Sequence, residues 1–271
     1  MNYILIFIYF LVSLSFMNTL CAKEVDFKIY DNTMLVLKYL KNKRILFAHQ
    51  SVGQDIINGI QTINAKSSDI KLNIKETRDE NDFNGPIFAH TRVGKNHDPK
   101  SKIDDFKRLI TFEIKGKVNI AFVKLCFVDI NKRTDNVEDI FKYYVKTLNQ
   151  LKAKFPNITF IHFTVPLTRL QRGPRAWLKK IIGKPVGGYL ENIKRQEYNQ
   201  LIRHYYSGKE PVFDIALLES TREDGTQESY QASSGTYPAL VPSYTNDGGH
   251  LNEKSREMVA QQLLQFLAKV Q

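Results

Sequence analysis

The sequence predicts an α/β protein, built as a three-layer αβα sandwich around a doubly wound parallel sheet of about five strands. Apolar runs alternate with amphipathic helical stretches along the whole chain. Runs that are apolar throughout, rather than at every second residue, are typical of parallel strands covered by helices on both faces. No Pro/Gly-rich or low-complexity linker divides the 271 residues, which indicates a single domain that spans residues 23–271.

The apolar runs that we predict to be strands are residues 44–50, 70–76, 118–128, 158–167 and 212–220. The stretches with helical periodicity are residues 53–65, 101–114, 137–155, 191–206 and 253–270. Between them we predict a polar loop over residues 78–100 and a loop rich in glycine and basic residues up to Tyr189. The last helix follows a short glycine-containing turn, TNDGGHLN, at residues 245–252.

The first 22 residues contain no charged side chain, and charge begins at Lys23. This segment is typical of a secretory signal peptide with cleavage after Ala22, and an uncleaved membrane anchor is the alternative. Both predict an extracytoplasmic domain, either periplasmic or secreted. Cleavage would leave Cys126 as the one cysteine, so that no internal disulfide could form and stability would depend on the apolar core.

Basic residues outnumber acidic ones, 39 to 28, which gives a formal net charge of +11. Such a charge favours encounter with anionic polymers or surfaces. No RNA-binding aromatic signature or helix-turn-helix pattern is present, so we expect no nucleic-acid partner. No Cys/His cluster has the spacing of a zinc site, and we expect no metal.

The basic stretch 168–180 holds the only tryptophan, Trp177, which is a candidate for binding a sugar ring or an acidic glycan. The alternative is that this stretch is a solvated insert.

Ser51 lies in the stretch FAHQSVGQDII, at the corner between the first predicted strand and the first predicted helix. Serine is a favoured residue at a helix N-cap, where its hydroxyl accepts from a backbone amide. The same corner can instead present a nucleophile at the sheet edge, with helix amides close to a developing anion. His49 either lines the pocket beside this serine or is a structural histidine at the strand end.

Asp247 and His250 are three residues apart in the DGGH turn that precedes the last helix. A serine nucleophile requires a base to accept its proton, and the base requires a partner that fixes its tautomer. This turn can supply both groups, and its two glycines allow the backbone to bend. The alternative is a capped turn in which Asp247 bonds only to the amides that follow it.

FAHQSVG and DGGHLN resemble the first and last blocks of the SGNH (GDSL-type) hydrolase superfamily, and the resemblance covers residues 40–271. It places Ser51 at the nucleophile position and Asp247 and His250 in the Asp-x-x-His block. It implies a flavodoxin-like sandwich, a Ser-His-Asp ester hydrolase or acyltransferase, and no metal or organic cofactor.

The middle blocks depart from the superfamily pattern, in which the oxyanion donors are the serine amide, a glycine amide and an asparagine side chain. Gly94 is the glycine candidate, and His97 is the alternative in register. The third block reads CFVD, with Val128 where asparagine is usual. Asn131 and Asn96 are the candidates that could replace this side chain.

The function expected from the sequence is a serine esterase that removes an O-acyl group, such as acetyl, from a polysaccharide or other envelope polymer. The alternatives are an O-acyltransferase with the same site and a non-catalytic glycan-binding domain on the same scaffold. An α/β-hydrolase also has the order serine, acid, histidine, but its acid and base come from well-separated loops. The short spacing of Asp247 and His250 argues against it.

Overall fold

A computed structural model describes residues 33–270 of the protein, with the exception of residues 132, 133, 135 and 185. The predicted signal segment, residues 1–22, lies outside the described residues. The strands of the main sheet are β1 Arg44–His49, β2 Ile74–Glu76, β3 Ile87–Arg92, β4 Ile120–Val123, β5 Thr159–Phe163 and β6 Val212–Phe213. Every pairing in this sheet is parallel, which confirms the predicted α/β class.

The strand order is β2-β3-β1-β4-β5-β6, so that β1 lies between β3 and β4. From β1 the chain builds one side of the sheet through β2 and β3, and β4 then begins the other side. The carboxyl end of β1 is therefore at the point where the strand order reverses, which is where parallel α/β sheets form their binding crevices. Ser51 lies at this point, two residues beyond the end of β1.

Helices cover both faces of the sheet, as the apolar strands predict. They are α1 Thr33–Leu40, α2 Val52–Lys66, α3 Pro99–Arg108, α4 Val137–Lys154, α5 Pro174–Ile181, α6 Tyr189–Tyr206, α7 Ile215–Ser220 and α8 Glu253–Lys269. Helices α1, α2, α7 and α8 pack on one face, and α3, α4 and α6 pack on the other. Successive residues of β1 alternate between the two cores, with Phe47 in the first and Leu46 in the second.

The predicted polar loop over residues 78–100 contains a strand, and the sheet therefore has six strands rather than about five. This loop holds a 3-10 helix, Glu80–Asn84, and then β3. The prediction was wrong because β3 includes His90 and Thr91, which are polar in sequence but buried in the sheet.

The predicted strand 212–220 is also largely wrong. Only the two residues of β6 are extended, and α7 follows them. The side chain of Asp214 accepts from the backbone N–H of Leu217 at 3.1 Å and caps this short helix, so that the apolar residues beyond it are helical. The predicted loop up to Tyr189 contains α5, and an antiparallel hairpin, β7 Ser229–Ala232 and β8 Gly235–Pro238, lies in the stretch that was predicted to be irregular.

In the part of the chain that the structure describes, no helix combines the length and the apolar character needed to span a bilayer.

Candidate active site

Ser51 connects β1 to α2 in an uncommon backbone conformation. Its φ is 51° and its ψ is −118°, a region that residues with a Cβ rarely occupy, at a cost of about 1–3 kcal/mol. The Ser51 hydroxyl makes no capping bond to the helix that it precedes. It instead lies 2.8 Å from Nε2 of His250. The capping alternative therefore does not describe this serine, and its hydroxyl is directed towards the DGGH turn.

The imidazole of His250 lies between Ser51 and Asp247. Its Nδ1 is 2.7 Å from Oδ2 of Asp247, and its Nε2 faces the serine oxygen. When Nδ1 carries a proton that is donated to the carboxylate, Nε2 is free to accept the serine proton. The two ends of the described chain, 199 residues apart in sequence, thus meet at the carboxyl edge of the sheet.

The Asp247 carboxylate is held by its own turn as well as by the imidazole. Its Oδ1 accepts from the backbone N–H groups of Gly249 and His250 at 2.9 and 2.8 Å. Partial burial alone would raise the pKa of Asp247, but these two amides and the imidazole together lower it below the usual range of an aspartate. Asp247 is therefore ionised when it faces the imidazole.

A buried carboxylate of α2 fixes the turn over the serine. Oδ2 of Asp55 accepts from the backbone N–H of Leu251 at 3.2 Å, and Oδ1 is 2.9 Å from Nη2 of Arg256 in α8. Burial raises the pKa of Asp55, and the guanidinium of Arg256 opposes that shift. Asp55 is one helical turn after Ser51, so that the helix that begins at the serine also positions the histidine.

Close packing behind the serine explains the glycine of the SVG sequence. A Cβ on Gly53 would lie 2.3 Å from Cβ of His49, so that only glycine fits at this position. His49 is fully buried, and its Nε2 is 3.2 Å from Nδ1 of His90. Burial, followed by the charges of His90, Lys124 and Arg92, lowers the pKa of His49 to about 2. His49 is therefore inaccessible to solvent in this conformation, which favours the structural alternative, and its substrate contact stays a prediction.

A buried ion pair joins helix α3 to the loop that follows β4. Nζ of Lys102 and Oδ2 of Asp129 are 2.7 Å apart, and both side chains are inaccessible to solvent. The same carboxylate accepts from the backbone N–H groups of Cys126 and His97 at 2.6 and 3.0 Å. The loops after β3 and β4 both lie next to the Ser51 corner. Nε2 of Gln50 donates to the carbonyl of Gly94 at 3.0 Å, and Sγ of Cys126 is 3.3 Å from the carbonyl oxygen of Gln50.

Two of the predicted oxyanion donors are engaged elsewhere. The N–H of Gly94 donates to Oδ2 of Asp105 at 3.0 Å, and the N–H of His97 donates to Asp129. A backbone amide has one hydrogen, so that these contacts contradict an oxyanion role for the two amides in this conformation. Nδ2 of Asn131 donates to the carbonyl of Val128 at 2.7 Å, and its role stays a prediction.

Asn96 has a fixed orientation in the loop after β3. Its Oδ1 accepts from the ammonium of Lys102 at 2.9 Å. An ammonium can only donate, so that this contact identifies which end of the amide is oxygen and directs the NH₂ group away from Lys102. Asn96 is exposed, in contrast to the buried ion pair that holds it.

Trp177 lies on α5 with 65% of its surface exposed, and its predicted substrate contact stays a prediction.

The sequence analysis gave no role to Asp55, Lys102 or Asp129. A signal existed for the first two, because each is a charged residue on the apolar stripe of an amphipathic helix. Within the described residues, no group of three or more His, Cys, Asp or Glu side chains is arranged to hold a metal ion.

No family model matches the chain. No curated protein sequence matches it either. Among solved structures, a GDSL-like lipase from Bacteroides thetaiotaomicron is 15% identical with a TM-score of 0.49, over 84% of this chain and 89% of that one. The periplasmic domain of a lipopolysaccharide acetyltransferase from Salmonella ser. Paratyphi A is 14% identical with a TM-score of 0.45, over 84% and 85% of the two chains. A carbohydrate esterase family 3 protein from Talaromyces cellulolyticus is 14% identical with a TM-score of 0.42, over 83% and 94%.

Proposed function

We propose that the protein is a serine ester hydrolase of the SGNH type, with Ser51 as nucleophile, His250 as general base and acid, and Asp247 as the group that orients the imidazole. One observation carries this proposal: the Ser51 hydroxyl is 2.8 Å from His250 Nε2, whose Nδ1 is 2.7 Å from Asp247. The strained backbone of Ser51 and its lack of a capping bond support a chemical rather than a structural role.

In the proposed reaction, Oγ of Ser51 attacks the ester carbonyl while His250 Nε2 accepts the hydroxyl proton. Collapse of the tetrahedral intermediate breaks the ester C–O bond, and the imidazolium returns the proton to the leaving alcohol. Water then attacks the acyl-enzyme with the same base, which releases the carboxylic acid and regenerates the serine. Asp247 stays ionised throughout and stabilises the imidazolium.

For the oxyanion we propose the backbone amide of Ser51 and the side-chain amide of Asn96. Asn96 would replace the asparagine that the third block lacks. The support for this is the contact of Lys102 with the side-chain oxygen of Asn96, which leaves the NH₂ group as the end that can donate. The Lys102–Asp129 ion pair would then act as a positioning group, because it holds Asn96 and the two loops together.

The narrower form of the proposal is an O-acyl group, such as acetyl, on an extracytoplasmic polysaccharide or other envelope polymer. The apolar segment at residues 1–22 and the net charge of +11 support a location and a partner of this kind. A sugar hydroxyl in place of water would give acyl transfer through the same acyl-enzyme. Product analysis with an acyl donor and a glycan acceptor separates the two reactions.

The test is labelling by a fluorophosphonate and hydrolysis of a small acetyl ester by the wild type and Ser51→Ala. We expect labelling and hydrolysis in the wild type and loss of both in the variant, with at least about a 10³-fold fall in kcat/KM. Ser234→Ala, which removes an exposed hydroxyl from the turn of the β7–β8 hairpin, is the matched control and should retain activity. Equal hydrolysis by the wild type and Ser51→Ala would end the proposal, and glycan binding without labelling would favour a non-catalytic domain.

A further inference from the structure

The insert between β5 and α6 presents an apolar face to solvent. Helix α5 and the residue after it carry Trp177, Leu178, Ile181 and Ile182, which are 65%, 54%, 59% and 55% exposed. Their spacing places all four on one side of the helix. Ala176, which is 5% exposed, points to the opposite side and contacts the protein. The helix therefore buries its small residue and exposes its large apolar ones, the reverse of a surface helix in a globular protein.

Basic residues flank this face along the sequence. Between Thr168 and Tyr189 the sequence has six lysines and arginines and no aspartate or glutamate. Arg175 and Lys184 are exposed at the two ends of the apolar residues. We call the surface formed by these two residues with Trp177, Leu178, Ile181 and Ile182 the basic-apolar face.

The insert is fixed to the catalytic edge of the sheet. The backbone N–H of Arg169 donates to the carbonyl of Gly248, in the turn that holds Asp247 and His250, at 2.9 Å. The N–H of Gln171 donates to the carbonyl of Gly187 at 2.9 Å and closes the base of the insert. The insert that carries the basic-apolar face is therefore attached by backbone hydrogen bonds, and the first of them is to the active-site turn.

We propose that the basic-apolar face docks the protein onto the surface of an anionic lipid bilayer, with the active-site edge beside the headgroups. Charge complementarity selects this occupant, because lysines and arginines around a Trp and aliphatic face match anionic headgroups above an apolar layer. A hydrated acidic glycan would satisfy the basic residues and could stack on Trp177, but it would leave the aliphatic side chains of Leu178, Ile181 and Ile182 in water. Docking does not require the proposed chemistry at Ser51.

The only tryptophan of the chain is on this face, so that its fluorescence reports docking directly. The full chain is mixed with vesicles of phosphatidylglycerol and phosphatidylcholine, and with vesicles of phosphatidylcholine alone. We expect the Trp177 emission to shift to shorter wavelength, and brominated lipid to quench it, with the anionic vesicles only; high salt should weaken the shift. Residues 1–22 contain no tryptophan and are common to every variant, so that binding through them does not mimic this signal.

Variants assign the signal to the face. Replacing Ile181 and Ile182 together by serine should weaken vesicle binding by at least about tenfold, because their apolar surface no longer enters the lipid. Replacing Arg175 and Lys184 together by glutamine should cause a similar loss and remove the salt dependence. Phe112→Ser is the control, since Phe112 is 70% exposed on another part of the protein. Ser51→Ala should bind vesicles like the wild type, which separates docking from catalysis.

An unchanged Trp177 emission with anionic vesicles would overturn the proposal. The same shift on addition of a soluble polyuronate would overturn it in favour of an acidic glycan. A shift that depends on protein concentration without vesicles would overturn it in favour of a second copy of the chain.

Discussion

The carboxylate of Asp55 accepts a hydrogen bond from the backbone N–H of Leu251, at 3.2 Å, and so joins the helix after the serine to the residue after the histidine. Arg256 of α8 pairs with the other oxygen of this carboxylate. The contacts of Asp55 between α2 and α8 therefore help to set the separation of Ser51 and His250, together with the exposed turn.

Asp55→Ala removes this contact, and we expect kcat for a small ester to fall by about 10- to 100-fold with little change in KM, because the imidazole loses its position rather than its chemistry. Asp55→Asn keeps an oxygen that can accept from Leu251 and should restore most of kcat. Steady-state kinetics of both variants test this. Glu257→Ala breaks an exposed ion pair with Lys66 between the same two helices and should leave kcat unchanged. Equal losses in the two Asp55 variants would contradict a positioning role.

Asn96→Ala should lower kcat by about 10²- to 10³-fold if the side-chain amide of Asn96 stabilises the oxyanion, with a smaller change in KM. Asn131→Ala is the comparison, because its Nδ2 already donates to the carbonyl of Val128. We expect Asn131→Ala to stay within a few-fold of the wild type. The opposite ranking of the two variants would assign the donor to Asn131 and not to Asn96.

Ser51→Gly should be inactive but more stable than Ser51→Ala, by about 1 kcal/mol, since glycine adopts a φ of 51° without the steric cost of a Cβ. Chemical denaturation of the two variants measures the difference. Ser67, at the end of α2, has a φ of −75° and is the matched control. There the glycine variant should be no more stable than the alanine variant. A Ser51→Gly variant less stable than Ser51→Ala would show that the corner carries no strain.

Glu219 should make stability fall as pH rises. Burial raises the pKa of its carboxyl to about 8, although the N–H of Leu167 and the nearby charges of Lys124 and Arg195 oppose the shift. In the unfolded chain the same group loses its proton near pH 4.3. The native state thus binds more protons between these pH values, and the free energy of unfolding decreases across this window.

Glu219→Gln mimics the protonated carboxyl, and we expect its stability to decline less than that of the wild type from pH 5 to about pH 8. Thermal unfolding at several pH values tests this, with the exposed Glu257→Gln as control. Parallel pH profiles of Glu219→Gln and the wild type would contradict a raised pKa at this position.

The pattern of the sequence was sufficient for the parallel sheet and for the long helices. The prediction of a helix at residues 137–155 agrees with α4 to within one residue, because its apolar stripe is complete and an asparagine caps its start. Strand β3 was missed because its buried His90 and Thr91 interrupt the apolar run, and their burial depends on pairing with β1 and β2. The helical nature of residues 215–220 depends on the cap by Asp214, a local contact that apolar content does not reveal.

For the site, local spacing indicated Asp247 and His250, and the turn before the last helix placed them at the sheet edge. The donors of Gly94 and His97 could not be judged in the same way, since their partners, Asp105 and Asp129, reach them through folding of separate segments. The distinction between a capping and a chemical serine at position 51 also required backbone angles.

The sheet ends in strands of three and two residues, β2 and β6. Such short borders expose few unpaired amides to a neighbouring molecule, and on β2 the charged side chains of Lys75 and Glu76 flank them. Borders of this kind lower the tendency of the protein to recruit other chains into β-aggregates. Strand β1, which leads to the serine, lies in the middle of the sheet and is separated from both of these short edge strands.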